Sequence, residues 1–226
     1  IDEDGDLDIF VPGGFLACKA VPVTGGPCGS FLWFENQGNQ WKKNVILRDT
    51  DTFYHTALFT DVDADGVIDI ISVREDFTRP LFGGGAGIRL AETVYFKGNP
   101  NSPVGFDTTP ILMSEGLGSL PTLIDVDGDG DLDIASAQYF AANAEAESFA
   151  WLEQVTAPDI ANPAGTWTKH IIDADVGPAI MLSFVDDLYG DGVKRAIGSN
   201  HVNTAKTPAD PWESAIYSYE IPADPK

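Results

Sequence analysis

The stretch Leu123–Ala137, which reads LIDVDGDGDLDIASA, decides the fold predicted for this chain. Aspartates alternate along it, Gly130 follows them, and apolar residues flank the set on both sides. Alternating carboxylates followed by a glycine turn can surround one hard cation, since Ca²⁺ takes roughly six to eight oxygen ligands. The apolar residues after the loop show no helical stripe, so the sequence predicts a calcium loop between two strands. The carboxylates at the first, third, fifth and ninth positions are Asp125, Asp127, Asp129 and Asp133, and the carbonyl of Asp131 occupies the seventh.

The same loop recurs along the chain. Loop three is Asp125–Asp133, and loop two, Asp61–Asp69, matches its whole pattern. Loop one, residues 1–8, lacks only the leading aspartate. Loop four, Asp187–Arg195, is a degenerate copy of the motif. The third positions are spaced by 61, 64 and 62 residues. A repeat of this length built from short strands predicts a β-propeller or a related array.

Two loops carry a complete set of predicted ligands, and a third site is expected to be partly occupied. In loop three the set is the one given above. The corresponding residues of loop two are Asp61, Asp63, Asp65, the Val67 carbonyl and Asp69. Those of loop one are Asp2, Asp4, Asp6 and Asp8.

Loop four has lost two of its carboxylates. Tyr189 stands at the third position and Arg195 at the ninth. A guanidinium keeps its charge in proteins and pairs readily with carboxylates. We therefore expect Arg195 to bridge to Asp187 or Asp191, so that this loop folds without a metal.

These loops resemble the FG-GAP/VCBS repeats of calcium-binding β-propellers, a group that includes integrin α-subunit heads and fungal propeller lectins. The resemblance is carried by the D-x-D-x-D-G-x-x-D loop, the flanking strands and the segments WFEN at 33–36 and WLEQ at 151–154. It covers essentially the whole chain. It implies an all-β fold of four-stranded antiparallel blades, with sugar or protein recognition by the loops.

The repeats divide residues 1–226 into one propeller segment, with blades at 1–48, 49–113, 114–173 and 174–226. We expect strands A to D in each blade, and in the second blade they fall at His55–Asp61, Asp69–Val73, Glu92–Lys97 and Gly105–Leu112. The first strand A and the last strand D are missing. About three and three-quarter blades cannot close alone, so we expect a ring of about seven blades completed by further chain or by other copies.

Aromatic residues recur in register with the blades. Trp33, Tyr95, Trp151 and Tyr217 are assigned to one place in strand C, and Trp41, Phe106 and Trp167 open strand D. A stripe that recurs once per blade favours packing between blades over a binding platform.

The longest loops all connect strands B and C, on the face opposite the calcium loops. Binding residues concentrate in loops that a rigid scaffold holds, so recognition is expected there. Carbohydrate is the favoured ligand and an extracellular protein is the alternative. These loops are Pro12–Ser30, Arg74–Ala91, Gln138–Glu147 and Asn200–Ser214. The candidate ligand residues are Tyr54, His55, Arg74, Glu75, Gln138, Tyr139, Asn200, His201 and Trp212.

Catalysis on the same face remains open. His55, His201, Tyr139 and Arg74 could supply a base, an acid and a cation, as in a polysaccharide lyase. No spacing in the chain requires this chemistry, and the sequence has no G-x-S-x-G, H-E-x-x-H or CxxC motif.

The net charge and the two cysteines indicate the cellular compartment in which the protein works. The 35 acidic and 13 basic residues give a formal charge of −22, which argues against binding to nucleic acid or to an anionic membrane. Cys18 and Cys28 lie in one glycine- and proline-rich loop, where their spacing predicts a local disulfide, with two free thiols as the alternative. Loops of this kind fill at extracellular Ca²⁺ levels, where disulfides also persist. We therefore expect a secreted protein without a membrane span.

Overall fold

A computed structural model describes residues 1–2, 4–14, 29–77, 88–118, 120–139, 147–201 and 213–226. Over these ranges the protein is all-β and contains no helix, as the sequence predicts. It follows that no helix in this part of the chain has the length and hydropathy of a membrane span. The strands are β1 (Ile9–Gly13), β2 (Gly29–Asn36), β3 (Trp41–Thr50), β4 (Phe53–Tyr54), β5 (Leu58–Thr60), β6 (Asp69–Phe77), β7 (Ile88–Phe96), β8 (Ile111–Glu115), β9 (Thr122–Ile124), β10 (Asp133–Ala137), β11 (Phe149–Thr156), β12 (Thr166–Asp173), β13 (Ala179–Val185), β14 (Arg195–Asn200) and β15 (Ile216–Glu220).

The strands form four antiparallel sheets, each made of strands that follow one another in sequence. Sheet one contains β1–β3, sheet two β4–β8, sheet three β9–β12 and sheet four β13–β15. Sheet three shows the predicted order of four strands, from β9 at one edge to β12 at the other. Among the described residues, sheet one has no strand A and sheet four has no strand D, as expected. Loops two, three and four therefore connect β5 to β6, β9 to β10 and β13 to β14, and loop one precedes β1.

Two predicted strands of the second blade have different bounds in the structure. The strand expected at His55–Asp61 is divided into β4 and β5, which both pair with β6. Between them the Ser72 hydroxyl donates to the Thr56 carbonyl at 2.5 Å. The strand expected at Gly105–Leu112 begins only at Ile111, because Pro110 has no N–H to donate to a ladder. Phe106 lies in an isolated bridge with Gly98.

Three apolar cores lie between consecutive sheets. Phe31 and Trp33 of sheet one pack with Ile70 and Phe96 of sheet two. The second core joins sheets two and three, and the third joins sheets three and four. Sheets two and three are thus covered on both faces, which explains why all five residues of β10 are buried.

The aromatic stripe predicted for strand C packs between sheets in three of the four repeats. Trp33, Tyr95 and Trp151 are buried, and each lies opposite the residue two positions after the ninth residue of its loop. In sheet four this register position belongs to Ser218, so the assignment of Tyr217 to it is wrong. A shift of one residue turns a side chain to the other face of a strand, and Tyr217 packs towards sheet three instead.

Trp41 differs from the other aromatic residues at the start of strand D. Phe106 and Trp167 each pack into the core between their own sheet and the preceding one. Sheet one has no preceding sheet in the described structure, and Trp41 is 50% exposed. The free faces of sheets one and four also carry apolar groups: Ile9 is 49% exposed, Met181 52% and Ile216 79%.

A substitution at Gly198 tests how closely sheets three and four approach each other. A Cβ at this position would overlap the ring of Phe149, which is fully buried. We expect Gly198→Ala to destabilise the fold by about 1–3 kcal/mol through overpacking, measured by chemical denaturation. The double variant Gly198→Ala/Phe149→Leu should regain part of the loss. Ser218→Ala, on the exposed face of sheet four, is the control; an equal loss there would contradict this packing.

Candidate functional site

Loop three brings three of its predicted ligands together. One carboxylate oxygen each from Asp125, Asp127 and Asp133 lies within 4.8 Å of the others. Asp133 is fully buried at the start of β10, whereas Asp129 is exposed and accepts the N–H of Asp131 at 3.2 Å. The structure therefore assembles a triad that could hold a metal ion, without Asp129 in it.

Loop two assembles a different triad from the same motif. Here the carboxylates of Asp61, Asp63 and Asp65 lie within 4.8 Å of one another. Asp69, at the ninth position, stays outside this group. The backbone N–H of Val67, at the seventh position, donates to the carboxylate of Asp65, at the fifth position, at 2.9 Å and helps to orient it.

The ninth aspartate ties its loop to the end of strand C. Both oxygens of Asp69 accept backbone N–H groups, from Val62 at 3.0 Å and from Gly98 at 2.6 Å. Asp133 does the same with Val126 at 2.9 Å and Gln154 at 3.0 Å. These residues were predicted as metal ligands, and the structure adds a hydrogen-bonding role that the sequence motif does not show.

The first aspartate and the sixth-position glycine shape the turn. The Asp61 carboxylate accepts the N–H groups of Asp65 and Gly66 at 3.0 and 2.9 Å. Asp125 binds Gly128 and Gly130 in the same way. The sixth-position glycine has a positive φ in all four loops, between 74° and 101°, a region that residues with a Cβ rarely adopt.

Lysine side chains reach loops two and three. The Lys97 ammonium contacts both Asp63 and Asp65, the latter at 2.6 Å. Lys226 lies 2.8 Å from Asp127 and 2.6 Å from Glu153.

Loop four is organised by Arg195, as predicted. Its guanidinium binds both oxygens of Asp191, at 2.8 and 2.6 Å, and Glu220 at 2.8 Å. Hydrogen bonding to Arg195 lowers the pKa of Asp191 to about 2. The guanidinium carbon also lies 4.6 Å from the ring centroid of Tyr189, a cation–π contact that the sequence did not predict. The two substituted positions of this loop therefore contact each other.

The residues of loops two and three fit a bound cation. Asp63 Oδ1 and Asp131 Oδ1 are buried and have no hydrogen-bond partner. Burial, followed by repulsion from Asp127 and Asp129, raises the pKa of Asp133 to about 6. Burial and the carboxylates of Asp129 and Asp133 likewise raise the pKa of Asp131 to about 6. A divalent cation would relieve both the lost solvation and the repulsion.

Loop one shows no such group among its described residues. Asp2, Asp4 and Asp6 are exposed, and they are linked by backbone N–H bonds from Asp4 to Asp2 and from Asp6 to Asp4. Asp8 accepts the N–H of Asn36 at 2.9 Å, as the ninth residue does in loops two and three. Loop one therefore keeps the backbone bond of the motif without a clustered ligand set.

The opposite edge of the sheets carries the candidate ligand residues. His55 Nε2 lies 2.5 Å from Glu75 Oε2, and the Glu75 side chain is buried. The other oxygen of Glu75 is buried without a hydrogen-bond partner. The ring centroids of Tyr139 and His201 lie 5.5 Å apart. Tyr139 follows the end of β10 and His201 follows the end of β14, so the two residues take matching places in sheets three and four.

Other candidates on this edge have structural partners. Tyr54 is buried in the core between sheets one and two. Asn200 is almost fully buried and uses its side-chain amide to bind Val176, Glu213 and Ala215. Arg74 pairs with Glu92 at 2.6 Å.

Three predictions remain to be placed. Gln138 is buried, and its backbone carbonyl accepts the N–H of Ala179 at 2.9 Å. Trp212 and the proposed pair Cys18 and Cys28 lie outside the described residues.

Comparison of the chain with family models, with curated proteins and with solved structures found no match. The resemblance to FG-GAP/VCBS repeats therefore depends on the loop and strand residues quoted above.

The raised pKa values predict an unusual dependence of stability on pH. In the unfolded chain an aspartate titrates near 4, whereas Asp131 and Asp133 titrate at about 6 in the metal-free fold. The folded state therefore binds protons more tightly, and its stability falls as pH rises from about 4, the unfolded pKa, to about 6, the folded pKa. Melting curves in chelator should show a Tm that decreases over this window, and Asp131→Asn should flatten the slope. Excess Ca²⁺ should raise the Tm most at pH 7; a Tm unaffected by Ca²⁺ would contradict a metal role.

Loop four can be converted to test the charge-replacement argument. The double variant Tyr189→Asp/Arg195→Asp restores the third and ninth carboxylates and removes the guanidinium. We expect calorimetry to count one more bound Ca²⁺ than in the parent protein. Tyr189→Phe/Arg195→Lys, which keeps a ring and a cation, should bind no additional ion. A parent protein that already binds Ca²⁺ at loop four would show that Arg195 does not replace the metal.

Proposed function

We propose that this chain is a segment of a calcium-stabilised β-propeller that serves as an extracellular binding module, with carbohydrate as its ligand. The arrangement of the sheets supports a propeller. Each sheet is a meander of consecutive strands, and successive sheets pack face to face through separate cores. Blades of a propeller pack in this manner around a central axis.

Calcium is the metal that best suits loops two and three. Their clustered groups are carboxylates only, and hard oxygen ligands with flexible geometry favour Ca²⁺ over the softer transition metals. Free Ca²⁺ is abundant outside cells, which agrees with an extracellular location. Its binding would neutralise part of the net charge of −22.

The carbohydrate proposal is carried by one observation, the contact between the rings of Tyr139 and His201. They lie 5.5 Å apart on the edge opposite the acidic loops, and His201 is exposed. Aromatic faces pack against the apolar C–H face of a sugar, while imidazole and phenol groups can bond its hydroxyls. The two residues come from adjacent sheets, so the site would lie between blades.

A polysaccharide lyase is the second candidate, and the contact between His55 and Glu75 favours it. A buried carboxylate 2.5 Å from an imidazole can orient the ring for proton transfer. The pair lies on the same edge as Tyr139 and His201, where Arg74 supplies a cation.

The free apolar faces of sheets one and four suit neighbouring blades. Ile9, Met181 and Ile216 are each about half or more exposed. Further blades, from a longer chain or from other copies, would bury them and close the ring. Protein adhesion through the loops is a further alternative.

A glycan-array screen with Ca²⁺ and with chelator tests the proposed function. We expect binding to a subset of glycans, and Tyr139→Ala/His201→Ala should weaken it at least about tenfold because the stacking surface is lost. Trp41→Ala, which removes an exposed aromatic ring elsewhere, should bind as the parent does. Cleavage of a uronate polysaccharide that is lost in His55→Asn would instead establish the lyase. Absence of both glycan binding and cleavage would overturn the carbohydrate proposal.

A further inference from the structure

We propose that Lys97 and Lys226 are internal competitors of the metal, and that they determine the calcium affinity of loops two and three. Each lysine places its ammonium at the third-position aspartate of a carboxylate triad. The proposal rests on the calcium binding proposed above and adds two residues that are not ligands and that lie outside the loop motif.

The Lys97 ammonium lies against the carboxylate triad of loop two. Its ammonium contacts Asp63 and Asp65, two of the three carboxylates in the triad. About two thirds of its side chain is buried, since the exposed fraction is 33%. A Ca²⁺ ion held by Asp61, Asp63 and Asp65 would lie within a few ångströms of this ammonium. Like charges at that separation repel strongly, so the lysine must withdraw before the ion enters.

The register of strand C shows why a lysine reaches this loop. One residue beyond the pair Ile70–Phe96, the antiparallel register sets Lys97 opposite Asp69. The same step sets Glu35 opposite Asp8 and Glu153 opposite Asp133. Sheets one and three thus place an acid opposite the ninth aspartate, and sheet two places a lysine there. In sheet four the charges are exchanged, since Arg195 pairs with Glu220.

Loop three receives its ammonium by another route. Glu153, the acid opposite Asp133, holds Lys226 at 2.6 Å, and Lys226 contacts Asp127 at 2.8 Å. Hydrogen bonds from this ammonium lower the pKa of the Asp127 and Glu153 carboxyls. Lysines from two unrelated places in the chain therefore bring an ammonium group to the third-position aspartate of both loops.

A lysine in this place has two opposite effects. Without metal it neutralises carboxylates that would otherwise repel one another, so it stabilises the fold. When Ca²⁺ is present it competes for the same oxygens and weakens binding. Removing it should therefore lower the stability of the metal-free protein and tighten calcium binding, a combination that a merely structural residue would not produce.

Calorimetric titration with CaCl₂ tests the proposal in a background where only one loop binds. With loop three disabled by Asp127→Asn, Lys97→Met should lower the Kd of loop two for Ca²⁺ about tenfold. Lys97→Glu, which restores the acid found in sheets one and three, should lower it further. Lys226→Met is tested in the same way on loop three, with loop two disabled by Asp63→Asn. Lys43→Met removes the same charge from an exposed position of β3 and is the control.

Melting curves in chelator provide a readout that needs no calcium. Lys97→Met should melt several degrees below the parent protein and below Lys43→Met, and excess Ca²⁺ should remove the difference. A variant that is already unfolded in chelator and folds with Ca²⁺ gives the same support. If the parent binds Ca²⁺ and Lys97→Met binds it with unchanged or weaker affinity, the competitor role is wrong while the calcium site stands. If neither protein binds Ca²⁺ in the titration, the proposed calcium site fails, and the competitor role with it.

Discussion

The ninth-position carboxylate is the interaction on which sheets two and three depend. In loop three the two oxygens of Asp133 join the second residue of the loop to the end of strand C. The group is fully buried and is surrounded by other acids, so its ionised form is unfavourable without compensation. Backbone N–H groups provide part of that compensation, and a bound cation would provide the rest. Loop two meets the same problem, since burial raises the pKa of Asp69.

Positively charged side chains reach three of the four loops. Loops two and three bring carboxylates together and have a lysine beside them. Loop four replaces the ninth carboxylate with Arg195, and the neighbouring Tyr189 ring packs against the guanidinium. Loop one keeps the backbone bond from Asn36 to Asp8. One motif has thus diverged in the groups that face its carboxylates.

The separation of the two edges organises the proposed function. Each acidic loop directly precedes the second of the predicted strands of its repeat, so the loops lie at one edge of the sheets. The ends of the second strands lie at the other edge, where His55 meets Glu75 and Tyr139 meets His201. Metal binding can therefore stabilise the scaffold without occupying the edge proposed for recognition. The cores between the sheets hold the two edges in a fixed relation.

The sequence by itself determined the repeat, the order of the strands and the pairing of Arg195 with a carboxylate of its own loop; the structure selected Asp191 over Asp187. The sequence could do so because the loop motif is short, glycine sets its turn, and the guanidinium stands among the aspartates of the same loop. The tertiary structure alone decided which carboxylates cluster, since Asp129 is left out of loop three and Asp69 out of loop two. It also decided that Tyr217 faces sheet three and that Lys97 reaches Asp63. Such contacts depend on strand register and on residues distant in sequence, where a shift of one position changes the face on which a side chain lies.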